Sequence, residues 1–289
     1  MLSKLSLIFV LCLVFVSCQV ESRYHQTWEI LSLVKHECSI VPELTCVDNN
    51  GILSVNWLPT TNGKVTLFSF NEHAREKITG ELGLEFILRL KIWRPRISLT
   101  IVPILNVWGR RVVDSGRSCQ RKNRHGVDIN RNFQSAGKRH RYPKWSDEYE
   151  GREPLSETES VLISNMLRSK DVFRYINVHS GEWALYTPYD STSAVHPANY
   201  DRMISNVNQW SRRCPICVAG GAASVSSYRA WGTSVEWAVD HGVSEAYTFE
   251  IYGNHKVSGC REMFNPPVAD KDNVIELWLG ILKEIVNTV

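Results

Sequence analysis

Two side chains with metal-binding chemistry stand three residues apart in the segment HARE, as His73 and Glu76. They follow the apolar run VTLFSF, and another histidine, His179, lies near the end of a second strand-like run, YINVHS. Catalytic zinc takes three ligands from His, Glu and Asp side chains and keeps a fourth position for water. Alone the pair is a weak signal, because a histidine at a strand end is more often a structural residue. Together the three residues form a candidate site for one zinc ion per chain.

The segments around these residues alternate between strand-like and helical patterns. Strand-like runs occupy 65–70, 97–105, 175–180 and 247–252, and helical patterns occupy 25–36, 77–90 and 270–286. Such alternation is typical of an α/β fold, so we expect a single domain with a mixed, mostly parallel central sheet flanked by helices. Functional sites in open α/β sheets gather at the carboxyl ends of the strands. We therefore expect His73, Glu76 and His179 to meet at that edge of the sheet.

A polar segment, RKNRHGVDINRNF, adds groups suited to binding an anion beside a metal. It contains Arg121, Asn130 and Arg131, and a guanidinium can bind a substrate carboxylate through two parallel hydrogen bonds. Asp128 could accept the outer N–H of a zinc-bound histidine and so set its tautomer. A solvated basic surface explains the nearby KRHR (138–141) well, but it explains Asn130 and Arg131 poorly, because apolar residues flank them.

At this point the chain resembles the zinc carboxypeptidase A/B family, through seven motifs that occur in the family's order. The motifs are HARE (73–76), RKNR (121–124), GVDINRNF (126–133), EPLSETES (153–160), NVHSGE (177–182), YRAWGTSVEW (228–237) and YTFEIYG (247–253). The wording of FSFNEHARE and TFEIYG is similar to a secreted plant and protist branch of that family. The resemblance implies a zinc-dependent exopeptidase that hydrolyses the C-terminal peptide bond of peptides and proteins.

The resemblance also implies which residues carry the chemistry. His73, Glu76 and His179 match the zinc ligands, and Glu250 in the segment TFE matches the general acid and base. Arg121 matches the arginine that polarises the scissile carbonyl and stabilises its oxyanion.

A second group of matches concerns substrate binding. Asn130 and Arg131 match the pair that grips the terminal carboxylate of the substrate. Tyr228 matches the mobile tyrosine that caps the bound C-terminal residue, and Arg75 matches a residue that lines the next subsite. Asp128 matches a carboxylate behind the zinc ligands.

The preference for one C-terminal residue depends, in this family, on a position near the pocket floor. A count without gaps places Val235 there, which predicts a preference for apolar C-terminal residues. A shift by one residue would place Glu236 there and favour lysine or arginine. The count without gaps makes the apolar preference our prediction.

Two other functions are compatible with parts of the pattern. A zinc-dependent N-acyl amino-acid deacylase could share the H-x-x-E…H ligands, although the NRN segment and Tyr228 favour the carboxypeptidase. A non-catalytic binding protein on the same fold would typically lack a ligand or the acid/base glutamate, and this chain has all of them.

The N-terminus has the layout of a secretory signal peptide, because a lysine precedes an apolar run that small and polar residues follow. We expect residues 1–18 to be the signal and residues 19–289 to be the catalytic domain. The expected localisation is extracellular or in a compartment of the secretory pathway, with no membrane association after cleavage. A net charge of +3 is too small to indicate a nucleic-acid partner. We expect a monomer that acts on peptide or protein C-termini.

Cysteine usage agrees with export. Beyond residue 18 the chain has six cysteines, an even number that predicts disulfides. Cys38 and Cys46 are the expected local pair. Cys214 and Cys217 form a C-x-x-C motif, which could be redox-active, part of a zinc-thiolate site or a structural bond.

Overall fold

The structure is a computed structural model that describes residues 23–59, 63–134, 141–169 and 171–287. The predicted signal peptide (1–18) lies outside these residues, as does most of the KRHR segment, and both predictions stay untested. In the part of the chain that is described, no helix has the length and apolar character needed to cross a bilayer.

Eight strands in the described residues form one mixed sheet. They are β1 (Leu44–Asn49), β2 (Ile52–Trp57), β3 (Val65–Phe70), β4 (Ser98–Val102), β5 (Val172–His179), β6 (Trp183–Thr187), β7 (Val218–Gly221) and β8 (Glu245–Ile251). Their order across the sheet is β1-β2-β4-β3-β5-β8-β6-β7. The central strands β4, β3, β5 and β8 run parallel, whereas β1, β2 and β6 introduce antiparallel pairings. The predicted α/β fold with a mixed sheet is confirmed.

Helices cover both faces of this sheet. They are α1 (Thr27–Ile40), α2 (Lys77–Trp93), α3 (Val107–Asp114), α4 (Thr158–Leu167), α5 (Tyr200–Trp210), α6 (Ala222–Val225), α7 (Ser234–Asp240), α8 (Cys260–Phe264) and α9 (Val268–Asn287). Helix α2 packs against α1 and α9, and α7 packs against α4, β5 and β8. Two short 3-10 turns, Ile129–Arg131 and Ser211–Arg213, complete the regular structure of the described residues.

Strand β3 shows why the centre of the sheet could be predicted. Residues 66–70 are fully buried, so both faces of the strand lie in the core. Successive side chains of a strand point to opposite faces. Phe68 accordingly packs edge-on against Phe86 of α2, while the Ser69 hydroxyl lies 2.8 Å from the hydroxyl of Tyr175. A central parallel strand therefore reads as a nearly continuous run of apolar and β-branched residues.

The hairpin of β1 and β2 was not anticipated from the sequence. Its turn contains Asn50 and Gly51, with φ angles of 55° and 90°. A two-residue hairpin turn of this kind requires positive φ at both positions, which the pair Asn-Gly tolerates best. The Asn-Gly dipeptide is the sequence feature from which this hairpin could have been predicted.

Three disulfides join the six cysteines beyond residue 18. The predicted bond Cys38–Cys46 is present. Cys214 and Cys217 are bonded to each other, which fits a structural bond or an oxidised redox motif but not a zinc-thiolate site. The third bond, Cys119–Cys260, spans 141 residues of sequence. It joins the segment just before Arg121 to the start of α8.

Candidate active site

The carboxyl ends of three adjacent parallel strands bring the predicted metal ligands together. His73 follows the end of β3, His179 is the last residue of β5, and Glu250 lies beside it in β8. Glu76 immediately precedes α2. Ligand atoms of His73, Glu76 and His179 all lie within 4.8 Å of one another, and each of these residues is at most 5% exposed.

A buried carboxylate lies beside the Nε2 atom of each histidine, on the side away from Glu76. Asp128 Oδ1 lies 3.1 Å from Nε2 of His73, and Glu72 Oε2 lies 3.3 Å from Nε2 of His179. A carboxylate in this place keeps the proton on Nε2 and leaves a lone pair at Nδ1. The two Nδ1 atoms consequently turn inward and lie 3.1 Å apart.

Glu76 completes this inward-facing set. Its Oε1 lies 2.7 Å from Nδ1 of His73, and its Oε2 lies 3.1 Å from Nδ1 of His179. Burial alone would raise the pKa of Glu76, but the two imidazoles hold it well below the usual range. Two imidazole lone pairs and one carboxylate thus converge on one point, which is a donor set that zinc takes in catalytic sites. The residues present therefore fit a zinc ion.

Asp128 also fixes Arg121 in the wall of the site. The Arg121 guanidinium donates to Asp128 Oδ2 from Nε at 2.9 Å and lies 2.7 Å from it through Nη2. Burial alone would raise the pKa of Asp128, but Arg121 and His73 hold it well below its usual range. One buried carboxylate therefore orients a metal ligand and a cation together.

The carboxyl group of Glu250 faces a cavity of about 310 Å³ that the metal ligands also line. Among the described residues, its Oε2 atom is buried and has no hydrogen-bond partner. Burial raises the pKa of Glu250 to about 8. A buried carboxyl oxygen without a partner, next to a metal site, is placed to exchange a proton with a water molecule or a substrate.

The residues predicted to bind a chain end line the same cavity. Asn130 and Arg131 lie in the 3-10 turn that Asp128 caps, because the Asp128 side chain accepts a hydrogen bond from Asn130 N. Arg131 Nη2 donates to the hydroxyl of Tyr228 at 2.8 Å, while its buried Nε has no partner among the described residues. Tyr228 itself is 47% exposed and stands at the mouth of the cavity.

Arg75 lies at another part of the wall. Its guanidinium donates to Asp147 Oδ2 at 3.0 Å and lies 4.2 Å from the ring centre of Phe264, which also lines the cavity. Arg75 is thus placed beside the metal ligands, as a residue of a neighbouring subsite would be.

Val235, by contrast, is not among the described residues that line the cavity. Its side chain is 1% exposed and belongs to the hydrophobic core. The cavity wall instead includes two acids that sequence reasoning missed, Glu148 and Asp190. The fully buried Glu72 was missed as well. The sequence feature that could have identified Glu72 is its position directly before His73, just beyond the end of a buried strand.

Comparison with known proteins agrees with this arrangement. A family model described as zinc carboxypeptidase matches residues 52–277, which is most of the chain. The chain belongs to the zinc carboxypeptidase family. The resemblance inferred from the motifs is thereby confirmed.

Individual relatives of the chain are distant. Mast cell carboxypeptidase A of Homo sapiens is 29% identical over 171 residues, covering 54% of this chain and 41% of that protein. Carboxypeptidase A4 of Mus musculus is 27% identical over 210 residues, covering 67% of this chain and 48% of that protein. The chain spans about half the length of the curated relatives it matches.

Solved structures share the fold. Bovine thrombin-activatable fibrinolysis inhibitor, in complex with a tick carboxypeptidase inhibitor, superposes with a TM-score of 0.82 at 22% identity. That match covers 92% of this chain and 97% of the other. Carboxypeptidase A from Helicoverpa armigera superposes with a TM-score of 0.78 at 20% identity, covering 91% of this chain and 73% of the other.

Proposed function

We propose that this protein is a zinc-dependent carboxypeptidase that hydrolyses the last peptide bond of peptides and proteins. One observation carries the proposal. Within the described part of the chain, a single cavity combines a metal-ligand set with Glu250 and Arg131, whose buried Oε2 and Nε atoms have no hydrogen-bond partner there. Family membership supports zinc as the metal, and we propose one ion per chain, held by His73, Glu76 and His179. Zinc bound there would supply a Lewis acid that activates water and polarises a carbonyl.

Selection of the chain end falls to Arg131 and Asn130. Arg131 Nε has no hydrogen-bond partner among the described residues. The Asn130 side-chain oxygen accepts from Ser234 N at 2.9 Å, which leaves its amide nitrogen, 3.4 Å from His179 Nε2, as the group that can donate. Both residues can therefore donate hydrogen bonds to a substrate carboxylate, and an internal peptide bond offers no such carboxylate. Tyr228, which bonds to Arg131 in the structure, is placed to close over the bound residue.

Glu250 is the group that would transfer protons, and Arg121 is the group that would stabilise the negative charge on the carbonyl oxygen. Glu250 Oε2 would accept a proton from the attacking water and then pass it to the nitrogen of the leaving amine. Arg121, oriented by Asp128, would donate to the carbonyl oxygen as negative charge develops on it. Arg75 would contact the residue before the scissile bond from its place beside Phe264.

We also propose that residues 19–289 form the catalytic unit, released by removal of a signal at 1–18 and active as a secreted monomer. The three disulfides support an exported protein, because such bonds persist mainly in oxidising compartments. The cavity gives no support to the apolar preference expected from Val235, because that buried side chain is not among the described residues that line it. The deacylase and the non-catalytic alternatives have no observation in their favour.

The test is timed mass spectrometry of peptides incubated with the wild-type protein and with Glu250→Gln, each with and without a chelator. We expect stepwise loss of C-terminal residues, stopped by the chelator and reduced about 10⁴-fold by Glu250→Gln. A surface variant, Asp201→Asn, is the control and should trim at the wild-type rate. Trimming that persists in the metal-free protein would refute the proposal. Absence of trimming, with release of acyl groups from N-acyl amino acids, would point to the deacylase.

A further inference from the structure

The turn that carries two of the metal ligands is short and does not cap its own helix. Residues 72–76, called here the ligand turn, join β3 to α2, and Glu76 occupies the N-cap position of α2. An N-cap side chain normally accepts a hydrogen bond from a backbone N–H of the first helical turn. The Glu76 side chain makes no such bond, because its carboxylate faces the two histidines. The ligand turn therefore depends on groups outside it for its order.

Asn71, the residue directly before the ligand turn, supplies such a group. It is fully buried, and its Nδ2 donates to the backbone oxygens of His73 at 2.9 Å and Glu76 at 3.2 Å. The backbone oxygen of Ala74, between these two residues, lies 3.5 Å from the same nitrogen. One side-chain amide thus contacts the backbone of both metal ligands in the turn.

Thr79 closes a ring of hydrogen bonds with Asn71. Asn71 N donates to the hydroxyl oxygen of Thr79 at 2.9 Å, and that hydroxyl donates to the backbone oxygen of Glu76 at 2.8 Å. The Asn71 side chain donates to the same backbone oxygen. The residue before the ligand turn and the first turn of α2 are therefore fixed relative to each other by the protein's own hydrogen bonds.

A buried arginine determines which way the Asn71 amide points. Arg110 of α3 is fully buried, and its Nη1 donates to Asn71 Oδ1 at 2.8 Å. A guanidinium has donors only, and a backbone carbonyl is an acceptor only. The opposite orientation of the amide would place its NH₂ group against the guanidinium and its oxygen against the carbonyls. Asn71 therefore presents its N–H groups to the ligand turn.

The surroundings of Arg110 show that this contact is built into the fold. Carboxylate oxygens of Glu81 and Asp114 lie 3.6 and 3.5 Å from its guanidinium and balance the buried charge. Gly80 of α2 leaves the necessary space, because a Cβ there would lie 2.8 Å from Arg110 Nη1 and 3.3 Å from Asn71 Oδ1. Glycine destabilises the interior of a helix. The close approach of these two side chains explains its presence at this position.

The backbone conformation of Asn71 offers a different explanation for the asparagine. Its φ angle is 53°, in the left-handed region that asparagine and glycine tolerate best. If the backbone angle alone mattered, glycine would serve equally well at this position. The chain contains a matched position, Asn50, with a φ angle of 55° in the exposed turn between β1 and β2. The same substitution at the two positions separates the two explanations.

We propose that Asn71 is a positioning residue for the zinc site. Its side-chain amide, oriented by Arg110, holds the ligand turn in the conformation that aims His73 and Glu76 at the ion. The inference rests on the proposed zinc carboxypeptidase function and concerns the same site. Ligands that are oriented before the ion arrives lose less conformational freedom when they bind it, so the loss of this amide should weaken zinc binding.

The test measures zinc affinity by competition with a chromogenic chelator for wild type, Asn71→Gly, Asn71→Asp and the matched control Asn50→Gly. Asn71→Gly keeps the backbone tolerance but removes the amide, so the affinity should fall by about 10- to 100-fold. Asn71→Asp keeps an oxygen for Arg110 but turns a second oxygen towards the carbonyls, so it should lose at least as much. Asn50→Gly should bind zinc as wild type does. Wild-type affinity in Asn71→Gly would overturn the inference and leave the backbone explanation.

Melting temperatures separate positioning from a general loss of stability. A purely structural change lowers the melting temperatures of the zinc-free and zinc-loaded forms together and leaves the zinc affinity of folded molecules unchanged. Positioning by Asn71 predicts a smaller gap between the two temperatures in Asn71→Gly, because weaker zinc binding stabilises the folded state less. An unchanged gap would count against the inference.

Hydrogen exchange of wild type decides the question if circular dichroism shows that both Asn71 variants are unfolded. The backbone amides of residues 72–79 should exchange nearly as slowly in the zinc-free protein as in the zinc-loaded one, because the support from Asn71 precedes the ion. Fast exchange of this segment in the zinc-free protein would show that zinc itself orders the ligand turn, and the inference would be wrong.

Peptide trimming by the same proteins distinguishes this inference from the proposed function. If wild type binds zinc and trims peptides while Asn71→Gly keeps the wild-type zinc affinity, the inference is wrong and the function stands. If wild type binds zinc but trims no peptide, the proposed function is wrong, and a lower zinc affinity of Asn71→Gly still establishes the inference. If wild type binds no zinc, both are wrong.

Discussion

The cavity has an inner wall and an outer loop that are held in place by very different means. The inner wall, formed by His73, Glu76 and His179, stands at the ends of adjacent strands, and buried carboxylates bond to both histidines. The outer loop, residues 226–233, carries Tyr228, whose side chain is 47% exposed and is bonded to Arg131. Groups that must hold a metal are anchored in the core, whereas the group proposed to close over a substrate has few contacts to give up.

This difference has a physical reason. A metal site needs its ligands oriented before the ion arrives, and the partners behind the ligands supply that orientation. A residue that covers a substrate must let the substrate enter and leave, so a loop with local contacts suits it. Substitutions should therefore have large effects in the inner wall and small ones in the outer loop.

The largest effect is expected for Glu76→Gln, which removes the anionic member of the ligand set. Zinc affinity should fall by more than about 100-fold, because even the partners behind metal ligands are worth 10–100-fold. Competition with a chromogenic chelator measures this affinity, with Asp201→Asn as the control. Zinc binding at wild-type affinity would show that the ion is held elsewhere.

Next comes Arg131→Lys, at the junction of the two regions. A lysine keeps the charge but loses the fork that matches a carboxylate. We expect KM to rise by about 100-fold with a smaller change in kcat. Wild type should also reject peptides with an amidated C-terminus far more strongly than the variant does.

Steady-state kinetics on matched free-acid and amidated peptides measures both effects of Arg131→Lys. Arg212→Lys, at an exposed arginine outside the cavity, is the matched control. If Arg131→Lys kept the wild-type preference for the free acid, Arg131 would not be a residue that binds the terminal carboxylate of the substrate.

An intermediate effect is expected for the carboxylates behind the histidines. Glu72→Gln and Asp128→Asn should each lower zinc affinity by about 10–100-fold. The two should differ in activity once zinc is saturating. Glu72→Gln should regain most of its kcat, whereas Asp128→Asn should not, because Asp128 also orients Arg121. Equal recovery of both variants would contradict the double role of Asp128.

The sequence predicted the cavity only in part. Strand β3 and the ligands after it follow from a continuous apolar run and from the rule that sites lie at strand ends. Glu72 was not predicted, since its role depends on His179, which is 107 positions later in the sequence but 3.3 Å away in space. Asp190 was not predicted either, since β6 was not recognised and its partner Thr233 lies in another segment. A residue whose role depends on a partner far away in the sequence cannot be identified from the residues next to it.

The smallest effect is expected for Tyr228→Phe, in the outer loop. The change removes the hydroxyl that accepts a hydrogen bond from Arg131 Nη2 and leaves the ring in place. One hydrogen bond is worth about 0.5–1.5 kcal/mol net, so KM should change by less than about tenfold and kcat by even less. Kinetics on the free-acid peptide used for Arg131→Lys provides the comparison.

A loss of kcat above about 100-fold in Tyr228→Phe would contradict the division between the two regions. Such a loss is the size expected when a group that transfers a proton is removed. The hydroxyl would then act on the reacting atoms, and the outer loop would have to be as well ordered in the bound state as the inner wall. A small change confined to KM would instead show that the loop only covers a substrate that Arg131 and Asn130 already hold.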